Sequence, residues 1–218
     1  MKASIIYEND NFAIVDKAPG MLSEGEPDAV LEQFAAYLKK TYPNKKQLHA
    51  GLPHRLDKPV GGLLVCTKKK SLLSEWSGTK HSPWKKYYLA HVQGLYKGPK
   101  FLTHYHAKSA HSLKAQISAS PKPGYKAIHL RVKTKASYST HSLLEVELLT
   151  GKYHQIRAQL AFAGYPILGD TLYNGEDSVP KKIELICYKL ELTMQNNQPP
   201  LTFLSRSSLS EIRKTPDG

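Results

Sequence analysis

The strongest constraint on folding lies in the second half of the chain, where apolar and polar residues alternate with a period of two. Within Ser142 to Thr150, Leu144, Val146 and Leu148 face one way while Glu145 and Glu147 face the other, as in a strand with one buried face. Lys86 to Gly94, Leu113 to Ser118 and Ala127 to Lys133 read as further strands, and Ile183 to Leu190 and Leu201 to Leu204 extend the series. The spacing predicts a helix over residues 154 to 163, with Ile156 and Leu160 on one face and Gly164 as its stop.

The first half mixes the two periods. Ile5 to Tyr7 and Phe12 to Val15 read as a hairpin around a Glu8-Asn9-Asp10-Asn11 turn, and Asp16 to Gly20 breaks its second strand. Residues 28 to 40 predict a helix with Leu31, Phe34, Tyr37 and Leu38 on one side and Asp28 near its start. Gly62 to Thr67 is a short buried strand, and a helix through Leu72, Leu73 and Trp76 follows. The element order implies an α+β protein with a mixed, mostly antiparallel sheet flanked by helices and loops. Residues 1–206 are expected to form one domain and residues 207–218 a tail with a short helix at most.

Charge narrows the partners. The 218 residues carry 31 Lys and Arg against 18 acids, a formal net charge of +13. Such a surplus suits a polyanion, and the basic residues are scattered as pairs and triples such as Lys68-Lys69-Lys70 rather than gathered on one amphipathic helix. That distribution favours a nucleic acid over a membrane surface. No apolar stretch approaches a membrane span, and a soluble cytoplasmic protein is expected. Cys66 and Cys187 stand in apolar surroundings and read as core residues. His104-Tyr105-His106 lacks zinc-site spacing, so its histidines read as surface or RNA-facing groups and no metal is expected.

Three segments carry chemistry. In His54-Arg55-Leu56-Asp57-Lys58-Pro59-Val60-Gly61-Gly62, an acid between two cations enters the core beside a glycine pair, where another chain or ligand can approach the backbone. Asp57 there is either a nucleophile or base, or a turn acid paired with its neighbours. In Gly151-Lys152-Tyr153-His154-Gln155-Ile156-Arg157, Arg157 falls in a first helical turn, where a cation gains nothing from the helix dipole. A partner carboxylate would resolve that conflict. In Lys86-Tyr87-Tyr88-Leu89-Ala90-His91-Val92, Lys86 and Tyr88 share a strand face. Such a pair can stack a base and steady its phosphate, or simply pack in a core.

In this order the three segments resemble the RluA-type pseudouridine synthases, which carry a His-Arg-Leu-Asp segment, a Lys-x-Tyr strand and a His-Gln-Ile/Leu-Arg helix start. The likeness runs from about residue 5 to residue 205 and includes the opening hairpin through Met21 and the stretch Gly164 to Tyr173. It implies the pseudouridine synthase catalytic fold, and an enzyme that isomerises uridines of ribosomal or transfer RNA without a cofactor. Asp57 matches the family's catalytic aspartate, Tyr88 its active-site tyrosine and Arg157 the arginine that pairs with the aspartate. His54, Arg55, Lys86, His154 and Gln155 are the expected RNA or substrate contacts, and a monomer is expected.

The chain departs from the pattern at Gly61, where the family has Ser, and at Tyr153, where Thr or Ser is usual. It begins close to the opening hairpin, so no small S4-like RNA-binding domain is expected before it, and residues 97 to 120 are the expected divergent region. Two rival readings are a non-catalytic RNA binder and a two-carboxylate glycosidase. The second needs a second acid near Asp57, and its motif has none.

Overall fold

The computed structural model describes residues 3–45, 48–77, 82–175, 182–193 and 199–206. The expected tail, 207–218, lies outside the described residues. The chain divides into two compact units, one of residues 1–84 with 187–208 and the other drawn from residues 85–186.

The first unit opens with β1 (Ser4–Glu8) and β2 (Phe12–Lys17), paired antiparallel. Asn9 makes the turn: its side-chain oxygen accepts hydrogen bonds from the backbone of Asn11 and Phe12, each 2.9 Å, the local bonding for which Asn is favoured in turns. β2 runs through Asp16 and Lys17 rather than stopping at Val15, and every residue in it is buried. It pairs antiparallel with β3 (Gly61–Thr67), also buried throughout, which explains why both read as continuous apolar runs rather than alternating ones.

α1 (Val30–Thr41) buries Val30, Phe34 and Leu38 along one stripe, and Lys39 and Lys40 complement the dipole in its last turn. It starts after Ala29, without a side-chain cap, so Asp28 is not its N-cap. α2 (Lys70–Trp76) follows β3. Trp76 joins Phe12 and Trp84 in a cluster of edge-on rings with centroids 5.4 to 5.7 Å apart.

The second unit holds β4 (Trp84–Gln93) from Lys85 onward, β5 (Phe101–Lys108), β6 (Ala115–Ser118), β7 (Lys126–Ser137) and β8 (His141–Leu148). Their order is β4-β8-β7-β5-β6, and the ladders β4/β8, β7/β8, β5/β7 and β5/β6 are all antiparallel. β8 alternates as its sequence implies, with Leu144 and Val146 buried. β5 is a strand that the sequence reading does not contain, and β7 continues past Lys133 to Ser137 through an irregularity near residue 135.

α3 (Gln155–Phe162) packs against β5 and β6 and is buried from Gln155 to Leu160. It ends in a Schellman turn: Gly164, at φ 87°, donates to Ala161 O, and Tyr165 donates to Leu160 O. A 3-10 turn, Thr171–Tyr173, comes next. β9 (Leu185–Leu192) then leads back to the first unit, where it neighbours β3 and pairs antiparallel with β10 (Leu201–Leu204).

Candidate active site

Asp57 is half-buried on the loop that feeds β3, and this loop is tied at each of its corners. At its start, the Nε2 of His54 accepts a 3.1 Å hydrogen bond from the Val65 backbone. Leu56, directly before the acid, is buried, and its peptide is read from both sides by Ser23. The Ser23 hydroxyl accepts from Leu56 N at 3.1 Å and donates to Leu56 O at 2.8 Å. Asp57 O closes a turn with Val60 N at 3.0 Å.

Beneath the loop lies Lys17, fully buried, with its ammonium donating to the carbonyls of Met21 at 2.7 Å and of Ala18 and Lys58 at 3.2 Å. Desolvation lowers the Lys17 pKa to about 8, and the charge of Asp57 opposes that drop. A buried cation that gathers three carbonyls of two chain segments ties the peptide after the acid to the turn that follows β2.

The glycine pair has a packing reason. A Cβ on Gly62, which sits at φ 108°, would lie 2.2 Å from the Cys187 carbonyl oxygen, and one on Gly61 would lie 3.0 Å from Pro19. The close approach expected at these glycines is therefore that of the β9 backbone at Gly62 and the Pro19 ring at Gly61. Cys66 and Cys187 are buried core thiols, as read, and burial pushes the Cys66 pKa well up.

In the second unit, Arg157 occupies the first turn of α3 and does have a partner carboxylate. Its Nε and Nη2 each lie 2.7 Å from an oxygen of Asp170, a buried bidentate pair. Asp170 is held by the turn that follows it, accepting backbone hydrogen bonds from Tyr173 at 3.0 Å and Gly175 at 2.9 Å. The guanidinium carbon lies 5.3 Å from the centre of the Tyr173 ring. Tyr88 stands opposite Val146 in the β4/β8 ladder and is buried, and Lys86 on the same strand is half-buried.

A model of the RNA pseudouridylate synthase family matches residues 11–162, more than half of the chain. The chain belongs to the RNA pseudouridylate synthase family. It is 31% identical over 208 residues to the ribosomal large subunit pseudouridine synthase D of Borreliella burgdorferi, covering 89% of this chain and 62% of that protein. It is also 31% identical over 198 residues to an uncharacterized RNA pseudouridine synthase of Helicobacter pylori strain 26695, covering 88% and 72%. It thus spans about two thirds of the length of these curated relatives. The fold is that of the human RNA pseudouridylate synthase domain containing 4, with a TM-score of 0.72 at 19% identity over 93% of this chain and 89% of that one.

The residues read from the sequence fall into two groups, His54, Arg55 and Asp57 in the first unit and Lys86, Tyr88, His154, Gln155 and Arg157 in the second. Arg55 is exposed and 2.5 Å from Glu24, an ion pair in solvent of little energetic weight. Gln155 lies inside its unit. It is 3% exposed and its amide makes four hydrogen bonds, donating to His129 O and Gln159 Oε1 and accepting from Thr150 Oγ1 and Lys152 N. With its donors and acceptors satisfied internally, its amide ties the loop before α3 to β7 and to Gln159 of the helix.

His106 corrects the reading of its segment as surface-facing. It is buried, its Nε2 2.9 Å from Tyr153 O, while half-buried His104 lies 3.1 Å from Gln159 Nε2. Lys17, Ser23 and Asp170 were not singled out from the sequence. Lys17 had no clear signal there, since Asp16-Lys17 directly after the apolar run reads as the start of a turn.

Proposed function

We propose that the chain isomerises uridine to pseudouridine in ribosomal RNA, with Asp57 as the nucleophile. The observation that carries this reading is the setting of Asp57 in a member of this family. It is a half-buried acid on a loop whose neighbouring peptides are pinned by Ser23, His54 and Lys17, the preorganisation a reacting group needs. The reaction breaks N1–C1′, joins C5 to C1′, releases the C5 proton and gives one to N1, so no oxidant or group donor enters. The carboxylate adds to the nucleoside in its ionised form, whether at C1′ or at C6.

Arg157 is assigned the role of the cation that steadies this carboxylate, its fork aligned by Asp170. Tyr88 is assigned the uracil ring and the C5 proton. Both assignments follow the match to the family's motifs. The net charge of +13 supplies phosphate contacts that offset the few kcal/mol needed to unstack the target base. Ribosomal RNA is favoured over transfer RNA because the relative from Borreliella burgdorferi is named for the large ribosomal subunit.

RNA labelled with tritium at uracil C5 tests the proposal, since that hydrogen leaves as C5 bonds to C1′. The wild-type chain should release tritium from ribosomal RNA and leave transfer RNA labelled. Asp57→Asn should release none while folding and binding RNA as the wild type does. Release by Asp57→Asn removes the residue from the nucleophile role. A wild type that binds RNA and releases nothing makes the chain a non-catalytic binder.

A further inference from the structure

Tyr153 is the one exposed aromatic in the loop that leads into α3, and it is built in more firmly than a surface ring requires. Its ring stacks on that of His154 with centroids 3.8 Å apart and 18° between planes. Its hydroxyl donates to Leu113 O at 3.1 Å, and its own carbonyl is held by buried His106 at 2.9 Å. His154 in turn sits at φ 53°, an uncommon conformation for a residue with a side chain, and its Nδ1 lies 3.2 Å from the Tyr173 hydroxyl. That hydroxyl is itself fixed by a 2.7 Å hydrogen bond from Ala115 N. His154 is therefore anchored to buried Tyr173 and the Tyr153 backbone to buried His106, while the Tyr153 hydroxyl is tied at the surface to Leu113 and the residue remains 36% exposed. Beside it, the Lys108 ammonium lies 5.3 Å from the ring centre, on an exposed side chain free to reach a charge elsewhere.

We propose that Tyr153 and His154 form a stacking platform for an unpaired RNA base, with Lys108 supplying a contact to the adjoining phosphate. One face of Tyr153 is taken by His154, so the base adds to the other. A preordered ring loses little entropy when it binds, and every base presents a π face, so the platform is tolerant of sequence but selective for single strands. Lys108 exchanges its cation–π contact for a phosphate oxygen. The platform touches the arginine already assigned to catalysis through a single residue. Tyr173 meets His154 edge-on at 5.8 Å and Arg157 at 5.3 Å. The bound base is accordingly one that flanks the target uridine, a placement that rests on the function proposed above.

The probe is a short single-stranded RNA carrying one 2-aminopurine, whose fluorescence falls when it stacks, titrated into the full chain. Tyr153→Leu should weaken binding about tenfold and abolish the quench, the scale of one base–aromatic stack. Tyr153→Phe, which keeps the ring and loses only the hydroxyl, should stay within about twofold of wild type. Lys108→Gln should lower the slope of log affinity against log salt by about 0.7. Duplex RNA should bind wild type and Tyr153→Leu alike.

Wild-type binding and quenching by Tyr153→Leu overturn the platform. A loss in Tyr153→Phe as large as in Tyr153→Leu overturns it too, because the anchor to Leu113 would then matter and not the ring face. Should Tyr153→Leu fail to fold, an unchanged salt slope in the exposed variant Lys108→Gln overturns the phosphate contact and the proposal with it. Tritium release keeps the two proposals apart. Release by the wild type with Tyr153-independent binding overturns the platform alone, whereas Tyr153-dependent binding without release overturns the activity alone.

Discussion

The loop of Asp57 and the helix start of Arg157 solve the same problem with opposite chemistry. Each holds in place a charged residue to which a role in catalysis is proposed above. Around Asp57 the holding is done on the backbone: Ser23 reads both sides of the Leu56 peptide and the Lys17 ammonium gathers three carbonyls. Around Arg157 it is done on the side chain, by a buried two-point pair with Asp170. A loop held by its peptides leaves Asp57 half-buried, a setting that suits the nucleophile role proposed for it. A guanidinium held by its own fork gives up two donor nitrogens and gains a fixed plane. The first device tolerates change in the side chain it presents, and the second does not.

Asp170→Ala should break that contrast most severely, since it removes the bidentate partner of a guanidinium that is 6% exposed. Breaking one partner of a buried pair costs about 3–5 kcal/mol, which urea unfolding of the variant against wild type would read directly. An exposed-pair value below about 1 kcal/mol would mean that the fork is solvated in solution. Replacing both partners, Arg157→Met with Asp170→Leu, should recover much of the stability while leaving turnover lost.

On the other side, Gly62→Ala places a methyl group 2.2 Å from the Cys187 carbonyl at a backbone φ of 108°. Overpacking against backbone and a strained φ together should cost about 3 kcal/mol in the same assay. A neutral result would show that β3 and β9 can move apart there.

The elements with a clean period were legible from residues alone. β8 and β10 lie where their alternation and flanks put them, and the Asn9 turn and Gly164 stop work through the local bonding that those residue types imply. β5 was not. Phe101, Thr103 and Tyr105 face outward while Leu102 and His106 are buried, so both faces carry rings and the contrast between them is weak.

The motifs gave the family, and with it the candidate residues, but not the supports. Lys17 is distant in sequence from Lys58, Ser23 from Leu56 and Asp170 from Arg157, and only the fold brings each pair together. Gln155 shows the converse. Its place in a motif suggests contact with RNA, and in the structure its amide also bonds to Thr150, Lys152, His129 and Gln159. A motif records that a residue type is needed and leaves open whether it faces the substrate or the scaffold.

Two smaller effects sharpen the comparison on the Asp57 side. Ser23→Ala leaves the buried Leu56 N–H and C=O without their partner and should cost about 2 kcal/mol in urea unfolding. If the loop is the rigid element described here, turnover should fall with it.

Lys17 allows a test by pH. Its folded value, about 8, is below the 10.5 of the free side chain, so from pH 8 to 10.5 the unfolded chain holds the proton more firmly than the folded one. The contribution of this group to stability therefore rises across that window, the reverse of a lysine held by a carboxylate. The difference in unfolding free energy between wild type and Lys17→Met should shift by about 1–2 kcal/mol in favour of wild type between pH 7.5 and 9.5. The same shift strips the charge from an amine that three carbonyls and Asp57 all attract, so the chain would grow more stable while its loop is held less firmly. A flat difference would mean that the ammonium beneath Asp57 stays charged throughout, and that the carbonyls and the acid together outweigh its burial.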